Sequence, residues 1–219
     1  MALLPYLETQ TSTQPDACVI WLHGLGANGH DFYPIVPELK RSQQLAIRFV
    51  FPHAPSIPVT INNGYVMPAW YDITDMQIDR VIDEQQLRQS AAAINALIAE
   101  QVEKGIKAER IIIAGFSQGG AVALETVLAN QQKLAGLLAM STYFATKNSV
   151  QFNPANQATP IEIHHGLYDP VVPETLGKQT VALLQEKAYA VKYRQYPMEH
   201  SVCPQQIGDI DNFFADCLA

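Results

Sequence analysis

The chain has little of what marks secreted, disulfide-stabilised or membrane-embedded proteins. It contains three cysteines in 219 residues, Cys18, Cys203 and Cys217. An odd number at such wide spacing is typical of free thiols in a reducing compartment. No apolar run is long enough to span a bilayer. Residues 1–6 lack the basic region and the long apolar stretch of a signal peptide, so we expect a cytoplasmic protein without integral membrane association.

Basic residues are also scarce. Lys and Arg number 14 against 21 for Asp and Glu, which gives a formal net charge of −7, and no basic block stands out. Proteins that bind nucleic acid or anionic lipid surfaces usually carry such a block, so neither partner is expected. Hydrophobic residues make up 48% of the chain, enough for one sizeable core at this length. We expect a single domain over residues 1–219.

Short apolar runs alternate with helical patterns along the chain. The runs suit buried parallel strands and cover residues 18–22, 47–51, 111–114, 134–140, 161–164 and 191–196. Helices are predicted over residues 83–104, 118–129, 173–187 and 204–218. The first begins with Asp83 and Gln86 in the pattern of a capping box and stops at Gly105. This alternation predicts an α/β fold with a mostly parallel sheet covered by helices on both faces.

Two segments interrupt the alternation. Residues 52–75 contain several prolines together with Trp70 and Tyr71, and a long loop of this kind in a compact domain is often functional. We interpret it as a lid that faces the substrate, although Trp70 and Tyr71 could equally be core aromatics. Residues 142–159 are polar and rich in Asn, which favours a plain surface loop.

The most informative motif is Gly115-Phe116-Ser117-Gln118-Gly119, placed between an apolar run and a helical pattern. A Gly-x-Ser-x-Gly in this position is typical of a nucleophile elbow, a turn so tight that the Ser side chain stands clear of the sheet. Glycine on both sides avoids a clash because it has no Cβ. Ser117 is therefore the candidate nucleophile.

A serine hydroxyl needs an adjacent base, and the base needs an acid to orient it. In enzymes built on such an elbow the chain order is Ser, acid, His. Three of the six histidines follow Ser117, and two of these, His164 and His165, belong to a predicted strand. Acids that could serve them, Glu125 and Glu162, fall within a helix and a strand. His200 is the remaining candidate base. The histidines that precede the nucleophile are His23, His30 and His53.

The acid should follow a strand that precedes His200. Asp169 does so, after the Gly166 turn and before a helix. Its rivals are Glu174, Glu186 and Glu199, of which the first two are predicted to lie on a helix surface and the third adjoins the base. We select Asp169, with a turn or helix-capping role as the alternative.

An oxyanion site completes the constellation. One donor should be the backbone N–H of Gln118, and the other should come from the glycine-rich loop after the first apolar run, where the Leu25 N–H is best placed. The same loop matches Gly-x-Gly-x-x-Gly, the signature of dinucleotide binding. Pro34 and Pro37 interrupt the helix that such a site needs, and the next strand ends without a carboxylate. We therefore expect no nucleotide cofactor.

Together these motifs resemble those of the phospholipase/carboxylesterase family of small α/β-hydrolases, which includes acyl-protein thioesterases. The motifs are His23-Gly24-Leu25-Gly26, Ala69-Trp70-Tyr71-Asp72, Gly115-Phe116-Ser117-Gln118-Gly119-Gly120, His165-Gly166-x-x-Asp169 and Glu199-His200. The resemblance implies an α/β-hydrolase fold with a minimal cap, and Trp70 at the border of an acyl pocket. It implies hydrolysis of small acyl esters, thioesters or lysolipids, and a capacity for weak homodimers. Many members carry an acidic residue where this chain has Ala27 and Asn28.

Two other classes remain as alternatives. The chain could be a catalytically idle hydrolase fold that binds a ligand or protein, or, less in keeping with the motifs, a dinucleotide oxidoreductase. No metal is expected, because the pairs His164–His165 and His200–Cys203 lack third and fourth ligands at useful spacing. Cys203 is given no chemistry.

Overall fold

The computed structural model describes residues 3–75 and 81–219. Its strands and helices alternate as the apolar runs predict. The strands are β1 (Tyr6–Gln10), β2 (Ala17–Leu22), β3 (Ile47–Pro52), β4 (Ser56–Val59), β5 (Tyr65–Pro68), β6 (Ile73–Asp75), β7 (Val81–Ile82), β8 (Ile111–Phe116), β9 (Gly136–Met140), β10 (Ile161–Gly166) and β11 (Val191–Tyr196). The α-helices are α1 (Glu84–Glu103), α2 (Gln118–Leu128), α3 (Glu174–Glu186) and α4 (Pro204–Leu218).

Seven of these strands form the central sheet, in the order β1-β3-β2-β8-β9-β10-β11. Six of them are parallel to their neighbours, and β1 is antiparallel to β3 at one edge. The prediction of a mostly parallel sheet is confirmed. The edge strand β1 was not predicted, because its sequence, Tyr-Leu-Glu-Thr-Gln, is short, mostly polar and only partly buried.

The sheet is covered on both faces. Because side chains of a strand point alternately to opposite faces, Ile111 and Ile113 of β8 pack with the residues of α1, α2 and α3, whereas Ile112 and Ala114 pack with α4. Two apolar clusters result, one on each side of the sheet. In the described part of the chain, no helix combines the length and the apolar character needed to cross a membrane.

Helix α1 begins and ends as its sequence predicts, with one difference. The Asp83 side chain accepts a hydrogen bond from the Gln86 N–H at 2.9 Å, which caps the helix. Gln86 does not complete the capping box, since its side-chain oxygen accepts instead from the Asp72 N–H at 2.8 Å. Gly105 follows the helix with φ of 95°, a conformation that glycine adopts without strain.

The two irregular segments differ from each other. Residues 52–75 form β4 and β5, which pair as an antiparallel hairpin, and then β6, which pairs with β7. Residues 142–159 are not the plain surface loop that their polarity predicts, and that prediction is wrong for much of the segment. Phe144 and Thr146 are buried. The Phe144 N–H donates to the Thr180 hydroxyl at 3.0 Å, and the Thr146 hydroxyl donates to Glu125 at 2.6 Å. Polar side chains are buried here because each has an internal partner.

Candidate active site

Ser117 lies in the turn between β8 and α2 with φ of 53° and ψ of −119°. A positive φ is uncommon for a residue other than glycine, and such strain is concentrated at functional sites. Two glycines make the turn sterically possible. A Cβ on Gly115 would lie 2.3 Å from the Gly119 oxygen, and one on Gly119 would lie 2.4 Å from the His23 oxygen. The Thr142 hydroxyl donates to the Ser117 carbonyl at 2.6 Å and braces the turn.

Asp169 and His200, which lie 31 residues apart in sequence, are directly hydrogen-bonded. The Nδ1 of His200 donates to the Oδ2 of Asp169 at 2.7 Å. The other carboxylate oxygen, Oδ1, accepts from the N–H groups of Val171 and Val172 at 2.9 and 2.8 Å. Burial by itself would raise the pKa of Asp169, but the bonds from His200 and the two amides bring it below the ordinary value. Asp169 is thus ionised at neutral pH and holds one imidazole nitrogen.

Ser117 and His200 line the same cavity, which has a volume of about 310 Å³. Leu25 and Gln118 line it as well, while Asp169 lies behind His200. The structure therefore brings together five of the six residues that the sequence singles out. Phe116 packs against the imidazole of His200, with ring centroids 4.7 Å apart. Most other lining residues are apolar or aromatic; the full set further includes Gly24, Ala27, Asp31, Ile61, Tyr71, Ile73, Tyr143 and Val171.

The backbone amides of Leu25 and Gln118 are free to serve a ligand. Within residues 3–75 and 81–219, neither N–H donates to an acceptor of the protein. Gln118 is also the first residue of α2, so the positive end of the helix dipole points at the same place. Such an arrangement can stabilise a negative charge that develops on an oxygen near Ser117.

The chain matches the family model described as phospholipase/carboxylesterase over residues 6–218. The chain belongs to this family. The acyl-protein thioesterase 1 of Neurospora crassa is 40% identical over an alignment that covers 100% of this chain and 94% of the relative. The crystal structure of Arabidopsis thaliana SOBER1 superposes with a TM-score of 0.86 at 30% identity, covering 93% of this chain and 99% of SOBER1. The crystal structure of Zea mays acyl-protein thioesterase 2 superposes with a TM-score of 0.84 at 23% identity, covering 98% of this chain and 99% of the maize chain. At that identity it supports the fold alone.

Membership makes the protein a hydrolase with the α/β-hydrolase fold, as the motifs predict. The glycine-rich loop that carries Leu25 is held by His23, which is 1% exposed. Its Nδ1–H donates to the Gly24 oxygen at 2.7 Å, and its Nε2 accepts from the Ala54 N–H at 3.1 Å. Burial lowers the pKa of His23 to about 4, so the ring is neutral at pH 7. His23 is therefore a structural residue of the loop that carries Leu25.

Trp70, the sixth residue, does not line this cavity in the hydrolase. It is 1% exposed, and its indole N–H donates to the His23 oxygen at 2.8 Å. Its ring borders a separate cleft of about 200 Å³ between Leu4 and helix α1. The neighbouring residue, Tyr71, lines the cavity of Ser117 and His200 instead.

Several wall residues of the cavity were not identified from the sequence. Tyr143 follows the carboxyl end of β9, and ligands of parallel α/β sheets bind at that end of the strands. This rule could have singled out Tyr143. Ile61 and Ile73 come from the segment interpreted as a lid, but only the folded hairpins select these two among its apolar residues.

Other clusters of titratable residues have structural partners. His165 donates from Nε2 to the Val172 oxygen at 2.8 Å, and burial lowers its pKa. His164 bonds Glu162 at 3.0 Å. Among the residues that the structure describes, no group of three His, Cys, Asp or Glu side chains could hold a metal ion.

Proposed function

We propose that the protein hydrolyses carboxylic esters and thioesters of short to medium acyl chains through an acyl-enzyme on Ser117. Two observations support this proposal. His200 and Ser117 line one cavity, and the 2.7 Å bond from His200 to Asp169 leaves the second imidazole nitrogen free to act on the serine. The hydrolase family and its thioesterase relatives agree with the same chemistry.

The reaction would proceed in two halves. His200 Nε2 takes the hydroxyl proton of Ser117 as the serine oxygen attacks the acyl carbon, and the amides of Leu25 and Gln118 bind the oxyanion. Asp169 stabilises the imidazolium. The tetrahedral intermediate then collapses, the bond to the leaving alcohol or thiol breaks, and His200 returns the proton to it. Water repeats the sequence on the acyl-enzyme and regenerates Ser117.

The volume and the apolar lining of the cavity support small or medium acyl groups as substrates. Its volume of about 310 Å³ is near the lower end of about 300–1,000 Å³ for small-molecule pockets. Ile61, Ile73 and Val171 supply apolar walls. The relatives named acyl-protein thioesterase favour a thioester substrate, and lysophospholipid is the second candidate. A series of p-nitrophenyl esters of rising chain length, with one S-acyl peptide and one lysolipid, would rank these classes by kcat/KM.

Labelling with a fluorophosphonate tests the mechanism directly. The wild-type protein should be modified at Ser117 and should show a burst of p-nitrophenol, and Ser117→Ala should lose both. Ser149→Ala is a suitable control, because Ser149 bonds Glu84 outside the cavity. An unlabelled wild-type protein would favour the idle binding fold, and a burst that persists in Ser117→Ala would exclude Ser117 as the nucleophile.

We also propose a cytoplasmic location and a weak homodimer. The three cysteines are unpaired, which agrees with a reducing compartment. The dimer follows from the family resemblance, and sedimentation at two protein concentrations would test it.

A further inference from the structure

The side-chain amide of Gln118 is buried and hydrogen-bonded at both ends. It is 2% exposed. Its oxygen accepts from the Trp70 backbone N–H at 2.7 Å, and its nitrogen donates to the Tyr71 carbonyl at 2.6 Å. The residue whose backbone N–H faces the reaction thus has its side chain fixed to the segment before β6.

Trp70 continues this connection to the other oxyanion loop. Its indole N–H donates to the His23 carbonyl at 2.8 Å, and its ring lies 5.1 Å from the His23 ring. His23 is two residues before Leu25, which carries the second proposed donor. The Ser90 hydroxyl donates to the Trp70 carbonyl, so the tryptophan backbone is itself held by α1.

A chain of hydrogen bonds therefore links the two loops that carry the proposed oxyanion donors. We propose that the Gln118 side-chain amide and the Trp70 indole are positioning residues that set the distance between the N–H groups of Leu25 and Gln118. Oxyanion donors act at about 2.7–3.1 Å from the developing charge, so a small displacement of one loop weakens them. The inference rests on the proposed function, because it assigns a purpose to the supports of that oxyanion site.

Two variants separate the supports. Trp70→Phe removes the indole N–H with its hydrogen bond to His23, together with one ring of the indole. Gln118→Met keeps the side-chain length and removes both hydrogen bonds of the side-chain amide. The matched control is Gln101→Met, because Gln101 is equally buried and bonds Arg48 far from the cavity.

The variants are compared in kcat, KM, thermal midpoint and the inhibition constant of an alkylboronic acid. Boron bonds to the Ser117 oxygen, and the resulting tetrahedral anion places an oxygen where the oxyanion forms. Loss of a whole donor typically lowers kcat by about 100- to 1,000-fold, so a displaced donor should lower it by about 10-fold, with KM changed less than about twofold. The boronate inhibition constant should rise by the same factor as kcat/KM falls. Gln101→Met should lower the thermal midpoint and leave kcat unchanged.

The outcomes distinguish this inference from the proposed function. If the wild-type protein neither hydrolyses esters nor reacts with a fluorophosphonate, both the proposed function and the positioning role are refuted. An active wild type whose Trp70→Phe and Gln118→Met variants retain kcat within twofold overturns the positioning role alone. A fall in kcat without a matching rise of the boronate inhibition constant also overturns it, because that pattern indicates a structural defect. If Gln118→Met fails to fold, Trp70→Phe decides the matter.

Discussion

The two oxygens of Asp169 have separate tasks, which makes Asp169→Asn an unusually specific perturbation. Oδ1 accepts from the N–H groups of Val171 and Val172, while Oδ2 accepts from His200. An amide NH₂ cannot accept a hydrogen bond. The asparagine must therefore keep its oxygen toward the two valine amides and turn its NH₂ toward the imidazole.

That orientation forces the wrong tautomer on His200. Its Nδ1 would have to accept a hydrogen bond from the asparagine NH₂, so the ring N–H would lie on Nε2 and face Ser117. A protonated Nε2 cannot take the serine proton. The same asparagine substitution in the Ser-His-Asp template of serine proteases lowers kcat about 10⁴-fold, which corresponds to about 5 kcal/mol in the barrier. We expect a loss of this size here, with a folded protein because both valine amides keep their acceptor.

Burst kinetics with p-nitrophenyl butyrate and thermal unfolding would measure the two effects separately. Asp211→Asn is the matched control, since this buried carboxylate also accepts backbone N–H groups, those of Arg41 and Ser42, but lies away from the cavity. It should lower the thermal midpoint and leave kcat unchanged. The reasoning is refuted if Asp169→Asn keeps kcat within about tenfold of the wild type, or if the control loses as much.

Three further predictions test the turn, the charge network and the cavity wall. Gly119→Ala should lower the free energy of unfolding by about 3 kcal/mol or more, because its Cβ would meet the His23 backbone. The control Gly208→Ala in α4 meets nothing within 4 Å and should raise the free energy of unfolding by about 0.5–1 kcal/mol. Equal effects of the two variants in denaturant titrations would contradict this. Burial alone would raise the pKa of Glu162, but hydrogen bonds from neighbouring His, Arg and Lys side chains lower it from 4.5 to about 2. Its stabilising effect is thus complete well above pH 4.5 and is lost as pH falls toward 2, so the wild-type advantage over Glu162→Gln should shrink by roughly 2 kcal/mol between pH 5 and pH 3. An advantage independent of pH would count against this assignment. Asp31→Asn removes a carboxylate from the cavity wall. It should raise kcat/KM for an anionic hemisuccinate ester roughly two- to tenfold relative to kcat/KM for a neutral butyrate ester. An unchanged ratio of the two kcat/KM values would show that the Asp31 charge does not act on the substrate.

The elements that the sequence predicts well are those whose signal is local. Five of the six parallel strands are apolar runs buried on both faces, and helices α1, α3 and α4 carry a cap, a stop or an apolar stripe, so each of these could be identified without its neighbours. The sixth strand, β11, lies at the other edge of the sheet and is only partly buried. Strand β1 lacks such a signal, because an edge strand pairs through its backbone and is free to carry polar side chains. The burial of Thr146 depends on Glu125, which is 21 residues away and invisible to a local pattern.

The site residues also divide into those with a local sequence signal and those without one. Ser117, Asp169 and His200 could be selected because the chemistry restricts residue type, chain order and position relative to a strand. The wall of the cavity has no such restriction. Ile61 and Tyr71 come from residues 52–75, Tyr143 and Val171 come from two other segments, and all four meet only in the folded protein. The role of Trp70 at an acyl pocket stays a prediction: Trp70 lines the separate cleft, whereas its neighbour Tyr71 lines the cavity of Ser117.

His165, which the sequence does not favour as the base, lies close to Asp169 in the structure. His165 sits 3.7 Å from the Asp169 carboxylate, but it donates from Nε2 to the Val172 oxygen at 2.8 Å. The N–H of the same Val172 bonds Asp169. His165 thus holds the turn that fixes the acid, and burial lowers its pKa, so it remains a neutral support. A second imidazole that competed for the carboxylate would weaken its hold on His200. By binding a carbonyl instead, His165 leaves that oxygen to His200 and strengthens the turn that presents Asp169.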